Sequence, residues 1–467
     1  MAEARPIAAS EFEPVTVERA VHAITRPSLS YWQDAWQRLK RNRRALISLY
    51  LIVAMLLFTL VGPWLWRVDP AGQDLDQINE APGADRSAVI VAPYHAWPGV
   101  ETAPRAIKAE GPLVARGLKL AEPATTQAVR LVWMPVAGAS GYRIFRNEYP
   151  PGPRFTLGLP LGDVLGATHV SYEDRLNLRE RRYYYSVVAL NANGDPSSAH
   201  VTLPVDVMRV ITAREAAVRG LAASASDLKL GDHVYLPLHP LGTDYLGRDM
   251  LARLMYGARV SLFIGIVAPL LFVFGGILYG SAAGFVGGTT DQVLMRFADF
   301  VVALPFLLFM ILFKIAFGIG PGESGIFPML VALVLLSWPA TARLVRGQIL
   351  QIREESYVGA SKLLGARTGY LVLRHMIPNT LGVILVTLTF AVPTAIFTEA
   401  FLSFIGMGVA PPTPSWGSMC NDGIKTMLTH PHELILPALF ISITVLAFNL
   451  LGDGLRDALD ARMRSRE

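Results

Sequence analysis

The sequence is poor in cysteine and in charge. Its 467 residues include one cysteine, Cys420, which excludes an intrachain disulfide framework, a cysteine-rich zinc site and a dithiol redox centre. Charged residues make up 17% of the chain, against about 25% in ordinary soluble proteins, and this argues against a wholly soluble enzyme. The formal net charge of +5 is small for this length and argues against a nucleic-acid binder. No glycine is followed by lysine anywhere in the chain. The Gly-x-x-x-x-Gly-Lys-Ser/Thr loop that cradles nucleotide phosphates is therefore absent. His430 and His432 lack a third ligand at metal-binding spacing, so no metal or other cofactor is expected.

What the chain has in excess is hydrophobicity, 52% of residues with a mean hydropathy of +0.38, and it is concentrated. Residues 45–66, 260–286, 326–342, 381–398 and 434–452 contain no charged side chain. A bilayer core of ~30 Å takes ~20 helical residues at ~1.5 Å each, so each stretch is a candidate span. Residues 300–319, with Lys314 as the one interior charge, make a sixth. Lys314 stands close enough to the outer end of that span to snorkel out of it.

Basic residues orient the spans. Lys40, Arg41, Arg43 and Arg44 precede the first. Arg343, Arg346, Arg353, Lys362, Arg367 and Arg374 lie between the fourth and fifth, and Arg456, Arg462, Arg464 and Arg466 follow the sixth. Residues 320–325 have no Lys or Arg, and 407–432 have only Lys425. Basic segments mark the cytoplasmic side, so both termini are expected inside and the long first loop outside. Asp291, Arg296 and Asp299, at the inner start of the third span, are expected to anchor it through salt bridges. The mixed charge of the N-terminus and the late first apolar run do not fit a cleavable signal. Residues up to about Pro27 read as a disordered tail, and Trp32, Ala35, Trp36 and Leu39 give an amphipathic helix for the inner membrane face.

The outer loop has a different composition. Val129, Leu131 and Trp133 alternate at the strand period, as do Tyr142 and Ile144, and Tyr183, Tyr185, Val187 and Ala189. A turn signal at 191–196 precedes a last strand at 200–205. Short strands punctuated by turns predict a β-sandwich. The segments Val129-Arg-Leu-Val-Trp133, Gly141-Tyr-Arg-Ile-Phe-Arg146 and Tyr183-Tyr-Tyr-Ser-Val-Val-Ala-Leu-Asn191 resemble a fibronectin type III domain over roughly 104–207. The resemblance implies that the tryptophan fills the core and a tyrosine opens the penultimate strand. Residues 81–104 read as linker, and 210–223 as a short amphipathic helix returning the chain to the membrane.

Two further segments carry function. His239-Pro-Leu-Gly-Thr-Asp-Tyr-Leu-Gly-Arg-Asp249 leads into Met250, Leu251 and Leu254. Gly242 and Gly247 suit tight turns, Asp244 or Asp249 suits a helix cap, and the apolar stripe predicts an interfacial helix. The second is Glu355-Ser-Tyr-Val-Gly-Ala-Ser-Lys-Leu-Leu-Gly365, running on to Arg374-His-Met-Ile-Pro378. It predicts a short cytoplasmic helix that breaks at Gly365, with Pro378 starting the fifth span. A rigid helix held between two spans suits mechanical docking.

Together these segments resemble the permease subunits of dipeptide/oligopeptide/nickel-type ABC importers. The second segment is similar to the family's cytoplasmic Glu-Ala-Ala loop, with Gly365 and Pro378 in register, Ala360 at the central alanine and Ile377 at the leucine. Gly359 replaces the glutamate, Ser361 the last alanine and His375 the isoleucine. Trp338-Pro-Ala-Thr-Ala-Arg343, Phe397-Thr-Glu-Ala-Phe401, Pro414-Ser-Trp-Gly417 and Asn449-Leu-Leu-Gly-Asp453 extend the match, which covers the first span and then about 239–462.

The resemblance implies an all-α polytopic fold of six transmembrane helices, the type I ABC importer permease fold, with an inserted extracytoplasmic β-sandwich. It implies a bacterial inner-membrane permease that moves peptides or peptide-like solutes inward by ATP-driven alternating access. The partners implied are a homologous permease, two cytoplasmic ATPases, a periplasmic solute-binding protein and the bilayer. Tyr357, Gly359, Ala360, Ser361, Leu364, Gly365, Arg374 and Pro378 would couple to the ATPases, and Trp338, Pro339 and Glu399 would line the path or its gate. The chain would comprise a cytoplasmic tail with its amphipathic helix (1–44), a first span (45–66), the periplasmic insertion (67–238), the interfacial helix (239–258), a core of five spans (259–455) with the coupling loop 347–379, and a second tail (456–467). The other readings left open are a membrane-anchored receptor or scaffold that binds through its sandwich, and a secondary transporter.

Overall fold

The computed structural model describes residues 31–102, 113–152, 156–317 and 325–459. The tail up to Pro27, the start of the sandwich near Pro104, most of the 320–325 connection and the end of the C-terminal tail lie outside the described residues. The chain forms a helical unit, from the residues up to Gly83 and from His239 on, and a β-rich unit, Ala84–Leu238.

The helical unit begins with α1 (Tyr31–Arg41) and α2 (Arg43–Leu65), joined at Asn42, whose side chain accepts from the Ala45 N–H. On α1, Ala35 and Leu39 are buried while Trp32 and Trp36 are exposed, so its expected apolar face is split. After the β-rich unit come α4 (Met250–Val286), α5 (Gly288–Ala303), α6 (Phe306–Ala316), α7 (Ile326–Arg353), α8 (Ser356–Leu363), the short α9 (Thr368–Tyr370), α10 (Ile377–Phe404), α11 (Trp416–Ile424) and α12 (His432–Leu459). Residues Leu371–Met376 form a π-helical turn that joins α9 to α10.

Among the described residues, five helical stretches are long and apolar enough to cross a membrane, and α5 with α6 makes a sixth if that bent pair is counted as one span. The stretch expected as the third span, 300–319, is broken within its described residues. α5 and α6 meet at 83°, and the break falls at Leu304-Pro305. A proline ring disfavours helical geometry in the residue before it, and Leu304 is extended, with ψ at 125°. The expected interfacial helix 239–258 is also corrected. Residues before Met250 are a capping loop, and those after it belong to α4, one helix of 37 residues, because nothing after the Asp249 cap interrupts it.

α4 is the central strut, and its longest contact is with α7. Gly276, Gly280 and Gly284 repeat every fourth residue along one face of α4. A Cβ at Gly276 would meet Thr341 and the Trp338 carbonyl, one at Gly280 the Ala342 carbonyl, and one at Gly284 the Arg346 carbonyl. Small residues at this spacing let helix backbones touch in a bilayer, where the hydrophobic effect does not drive helices together.

The β-rich unit contains two sheets packed as a sandwich. β2 (Lys119–Leu120), β3 (Val129–Val132) and β6 (Ser171–Asp174) form one, in the order β2-β3-β6. β4 (Gly141–Asn147), β5 (Pro160–Leu165), β7 (Arg182–Leu190) and β8 (Pro196–Asp206) form the other, in the order β5-β4-β7-β8. The inward-facing residues are those of the period-two reading: Val129, Leu131, Trp133, Tyr142, Ile144, Tyr183, Tyr185, Val187 and Ala189 are all buried. Trp133 meets Tyr142 edge to face at 5.2 Å. Near the start of β7, the Tyr183 hydroxyl accepts from the Arg179 N–H at 3.2 Å, the tyrosine-corner arrangement of such sandwiches.

The linker expectation for 81–104 is corrected. Within it, β1 (Ser87–Val91) pairs in parallel with β9 (Val210–Thr212) and antiparallel with β10 (His233–Tyr235). Ala88, Ile90, Ile211, Ala216, Val234 and Leu236 close a small core there, and the helix expected at 210–223 shrinks to α3 (Ala213–Val218). β1 pairs only with segments distant in the chain, so period alone does not reveal its sheet.

Two outcomes follow. Gly280→Leu is expected to destabilise the helical unit by about 3 kcal/mol, the upper end for overpacking, because the new side chain meets backbone; thermal unfolding in detergent reads it, and an unchanged Tm refutes the close approach. In the sandwich, Tyr185 Oη and Arg146 Nη1 each donate to Asp174 Oδ2 at 2.7 Å, and Asp174 is fully buried. Tyr185→Phe is expected to cost about 1–3 kcal/mol for the donor lost to a buried carboxylate, measured by denaturant unfolding.

Candidate functional site

The segment between α7 and α10 is held from both sides and ends on a defined turn. Arg353, in the last turn of α7, donates through Nη1 to the Gly284 and Phe285 carbonyls at 3.4 and 3.5 Å. Those are free C-terminal carbonyls of α4, where a cation is favoured. α8 follows after Glu354 and Glu355. It stops at Gly365, whose φ of +83° is left-handed. The Ala366 N–H donates to the Ser361 carbonyl and the Gly365 N–H to the Lys362 carbonyl, at 3.1 and 2.9 Å, which is the Schellman pattern.

Val358 is fully buried and packs with Ile349, Met376 and others of the core behind it. The rest of the helix looks outward. Leu363 and Leu364 are 92% and 89% exposed, Tyr357, Tyr370 and Leu373 are exposed as well, and Lys362, Arg367 and Arg374 rim them on exposed backbone. A large apolar cluster rimmed by charge is the pattern of a protein-binding surface.

The expected coupling residues all fall on this segment. Asn379 Nδ2 donates to the Tyr357 hydroxyl at 2.9 Å and to the His375 carbonyl at 2.7 Å, which ties α8 to α10. Ser361 Oγ donates to the Tyr357 carbonyl. Ala360 is exposed, and a Cβ at Gly359 would meet nothing within 4 Å. Pro378 does not begin the next helix as expected: it is the second residue of α10, and the helical path runs back through the π turn to Thr368. A proline clashes with the carbonyl four residues earlier, here Arg374, and the widened turn Leu371–Met376 is where that carbonyl lies.

The three path residues are placed as packing nodes. Trp338 is half-buried against Tyr279, at 4.3 Å between ring centroids, and Phe297, at 6.3 Å, joining α7 to α4 and α5. Pro339 is buried within α7. Glu399 faces no open wall of the chain. It is fully buried, and accepts from Ser261 Oγ of α4 at 2.7 Å and Ser403 Oγ at 2.8 Å. Ser261 Oγ in turn accepts from the Trp416 N–H of α11 at 3.3 Å. The expected inner anchors pair: Arg346 binds both oxygens of Asp291 at 2.5 Å, and Arg343 donates to Asp299 at 2.7 Å. Lys314 donates to the Gly406 carbonyl at 3.1 Å. Cys420, on α11, is a buried free thiol, and desolvation and the nearby Glu399 push it up to about 12.

At the opposite end of the unit lies a buried charge network that the residue pattern did not reveal. Asp244 accepts from Arg248 Nε at 2.7 Å and from Arg253 Nη1. Both arginines also reach Asp422 at 3.2 Å. Asp249 caps α4 through the Ala252 N–H and also accepts from Trp66 Nε1 at 3.1 Å. The 239–249 motif showed the caps. It did not show that Asp422, far along the chain, completes two buried ion pairs.

Residues 276–465 match the family described as the binding-protein-dependent transport system inner membrane component. Residues 30–82 match the N-terminal TM domain of oligopeptide transport permease C. The chain is 48% identical over 226 residues to the oligopeptide transport system permease protein OppC of Bacillus subtilis, covering 48% of this chain and 72% of that protein. It is 48% identical over 227 residues to the dipeptide transport system permease protein DppC of the same organism, 48% and 69% of the two chains. With OppC of Escherichia coli it shares 41% over 244 residues, 52% and 77%. Among solved structures, it is similar to the inward-facing MetNI methionine ABC transporter at a TM-score of 0.36 and 17% identity, over 45% of this chain and 98% of that one. It is also similar to an Fn3-like protein from Clostridium thermocellum at a TM-score of 0.18 and 21% identity, over 21% and 95%. The chain thus belongs to the binding-protein-dependent transport system inner-membrane components, as a permease subunit of an ABC system and not its ATPase.

Proposed function

We propose that the chain is the permease half of an importer for peptides or peptide-like small solutes, and that α8 is the element on which a cytoplasmic ATPase docks. One observation supports this above the others: a helix pinned by Val358 and the Tyr357–Asn379 bond presents Leu363, Leu364 and Tyr357 outward. Relatives 48% identical to the chain are an oligopeptide and a dipeptide permease, which favours that substrate class.

In this reading the α8 face is cytoplasmic, both termini lie on the same side and the β-rich unit is periplasmic. The basic residues around α8 agree with that orientation. A homologous permease supplies the other wall of the pore, two ATPases bind beneath, and a periplasmic binding protein delivers the solute. Closure of the ATPases pushes α8. Because α8 continues into α7 and, through the π turn, into α10, both helices tilt and the pore alternates its access. Trp338, Pro339 and Glu399 act within this motion as joints between helices.

The turn at Gly365 tests the docking role. Left-handed backbone costs a side chain about 1–2 kcal/mol, more for a β-branched one. Gly365→Val is expected to reduce binding-protein-stimulated ATP hydrolysis of the reconstituted complex several-fold, with insertion unchanged; normal stimulation overturns the assignment. Gly359→Glu restores the family's residue into open space and removes a helix-weakening glycine worth about 0.5–1 kcal/mol. Transport into proteoliposomes is expected to equal or exceed that of the natural chain. A loss would mean that the partner approaches Gly359 too closely for a side chain.

A further inference from the structure

The end of α2 away from α8 carries a feature that neither coupling nor the ion network uses. A cleft of about 620 Å³ opens there, with Trp64, Arg67, Asp69 and Tyr256 in its walls. Behind Tyr256 lies Arg259, whose guanidinium sits 4.9 Å from the centre of that ring and whose Nε donates to the Thr59 carbonyl at 3.0 Å. Arg67 donates through Nε to the Trp64 carbonyl at 3.2 Å. Among the described residues neither arginine forms an ion pair with a carboxylate, whereas Arg248 and Arg253 nearby are both paired.

Depth makes the unpaired Arg259 informative. α2 has 23 residues, about 34 Å at 1.5 Å each, enough to cross a core of ~30 Å. Thr59 precedes the end of α2 at Leu65 by about 9 Å on the same rise. Arg259 therefore starts below the interface, within the apolar layer, and a guanidinium stays charged there. Such a residue pairs with a charge or a backbone carbonyl, or reaches for the headgroups; the Thr59 carbonyl, which Pro63 leaves without its helical donor, takes only the Nε–H of Arg259. Tyr256 is one turn nearer the start of α4 and lines the cleft, so the Arg259 guanidinium stacked on it lies beside that wall. Trp64 is 75% exposed, and Trp and Tyr mark the headgroup level. Leu57, Leu60, Val61 and Leu65 form an exposed apolar ridge leading up α2 to the same place.

We propose that this cleft binds one membrane phospholipid, with its phosphate between the guanidinium groups of Arg67 and Arg259 and its acyl chains along the α2 ridge. The ligand is amphipathic because the site is: two cations without a carboxylate partner among the described residues, an aromatic rim and an apolar track. Asp69 adds an acceptor beside the phosphate position, which suits a headgroup carrying an amine or hydroxyl. A soluble phosphate uses the cations but not the ridge. A carboxylate on a neighbouring protein chain uses the cations but displaces the lipid.

Native mass spectrometry of the full chain in detergent, titrated with phosphatidylglycerol, tests the site. One retained lipid is expected, held about tenfold more weakly after Arg67→Gln with Arg259→Gln, the loss of two charge-assisted contacts. Arg259→Lys is expected to keep most of the binding. Wild-type retention by the double variant overturns the proposal. If the double variant fails to fold, Arg67→Gln alone, on the exposed stretch after α2, carries the test: partial loss supports the site, and unchanged binding overturns it. Diacylglycerol, which lacks the phosphate, is expected not to compete, and millimolar inorganic phosphate not to displace the lipid. Success by either one, or loss of the lipid when a second permease is co-expressed, assigns the cleft to another occupant and overturns the inference.

Discussion

The direct approach of α4 to α7 is the constraint on which the rest of the helical unit depends. Lipid competes for apolar side chains as well as another helix does, so two spans stay together only where packing is closer than lipid can achieve. Gly276, Gly280 and Gly284 provide this by leaving the α7 backbone, from Trp338 to Arg346, in contact with that of α4. α5 and α10 take their positions from this pair. α5 is tied to α7 through Asp291–Arg346 and Asp299–Arg343, and α10 joins α4 through Glu399 and Ser261.

Both ends of α4 are fixed by charge, in different ways. At its start, two arginines and two aspartates balance inside a nearly dry site, joining the capping loop and α11. Removing one partner from such a set leaves an uncompensated charge and costs about 3–5 kcal/mol, so the end is held more by the penalty for breaking it than by the strength of each bond. At its finish, Arg353 reaches the Gly284 and Phe285 carbonyls at 3.4 and 3.5 Å, a softer restraint than the ion pairs. The end of α4 away from α8 is thus clamped by charge, and the end beside α8 is held by its close packing on α7.

Much of this was legible in the residues. Charge-free runs located the spans because a bilayer tolerates little else, and period-two alternation located the sandwich core from Val129 to Ala189 because one face of each strand is dry. The Schellman turn was readable at Gly365, since a glycine closing a short helix has few other uses. What escaped depends on distance along the chain. The pairing of Asp422 with Arg248 and Arg253, the β1 sheet and the burial of Glu399 are tertiary facts about segments far apart. The break at Leu304-Pro305 was visible as a proline, but an apolar run scored by hydropathy hides a bend.

The same contrasts decide where motion is absorbed if α8 is pushed as proposed. α8 does not bend internally: Val358 pins it, its last carbonyls are satisfied by the Gly365 turn, and Tyr357 is bonded to Asn379. The force therefore passes to its neighbours. α7 transmits it directly, because its backbone rests against α4 at three glycines over about two turns. α10 receives it through Leu371–Met376, a π turn whose wider ring already departs from α-helical bonding next to Pro378. A π turn can shift its register without breaking a satisfied ladder, so it serves as a joint where α7 serves as a lever. The direction of tilt then follows from the fixed point. With the start of α4 clamped by buried ion pairs, displacement is smallest there and greatest at the α8 end, and the Glu399–Ser261 contact lies between the two as the pivot of α10 on α4.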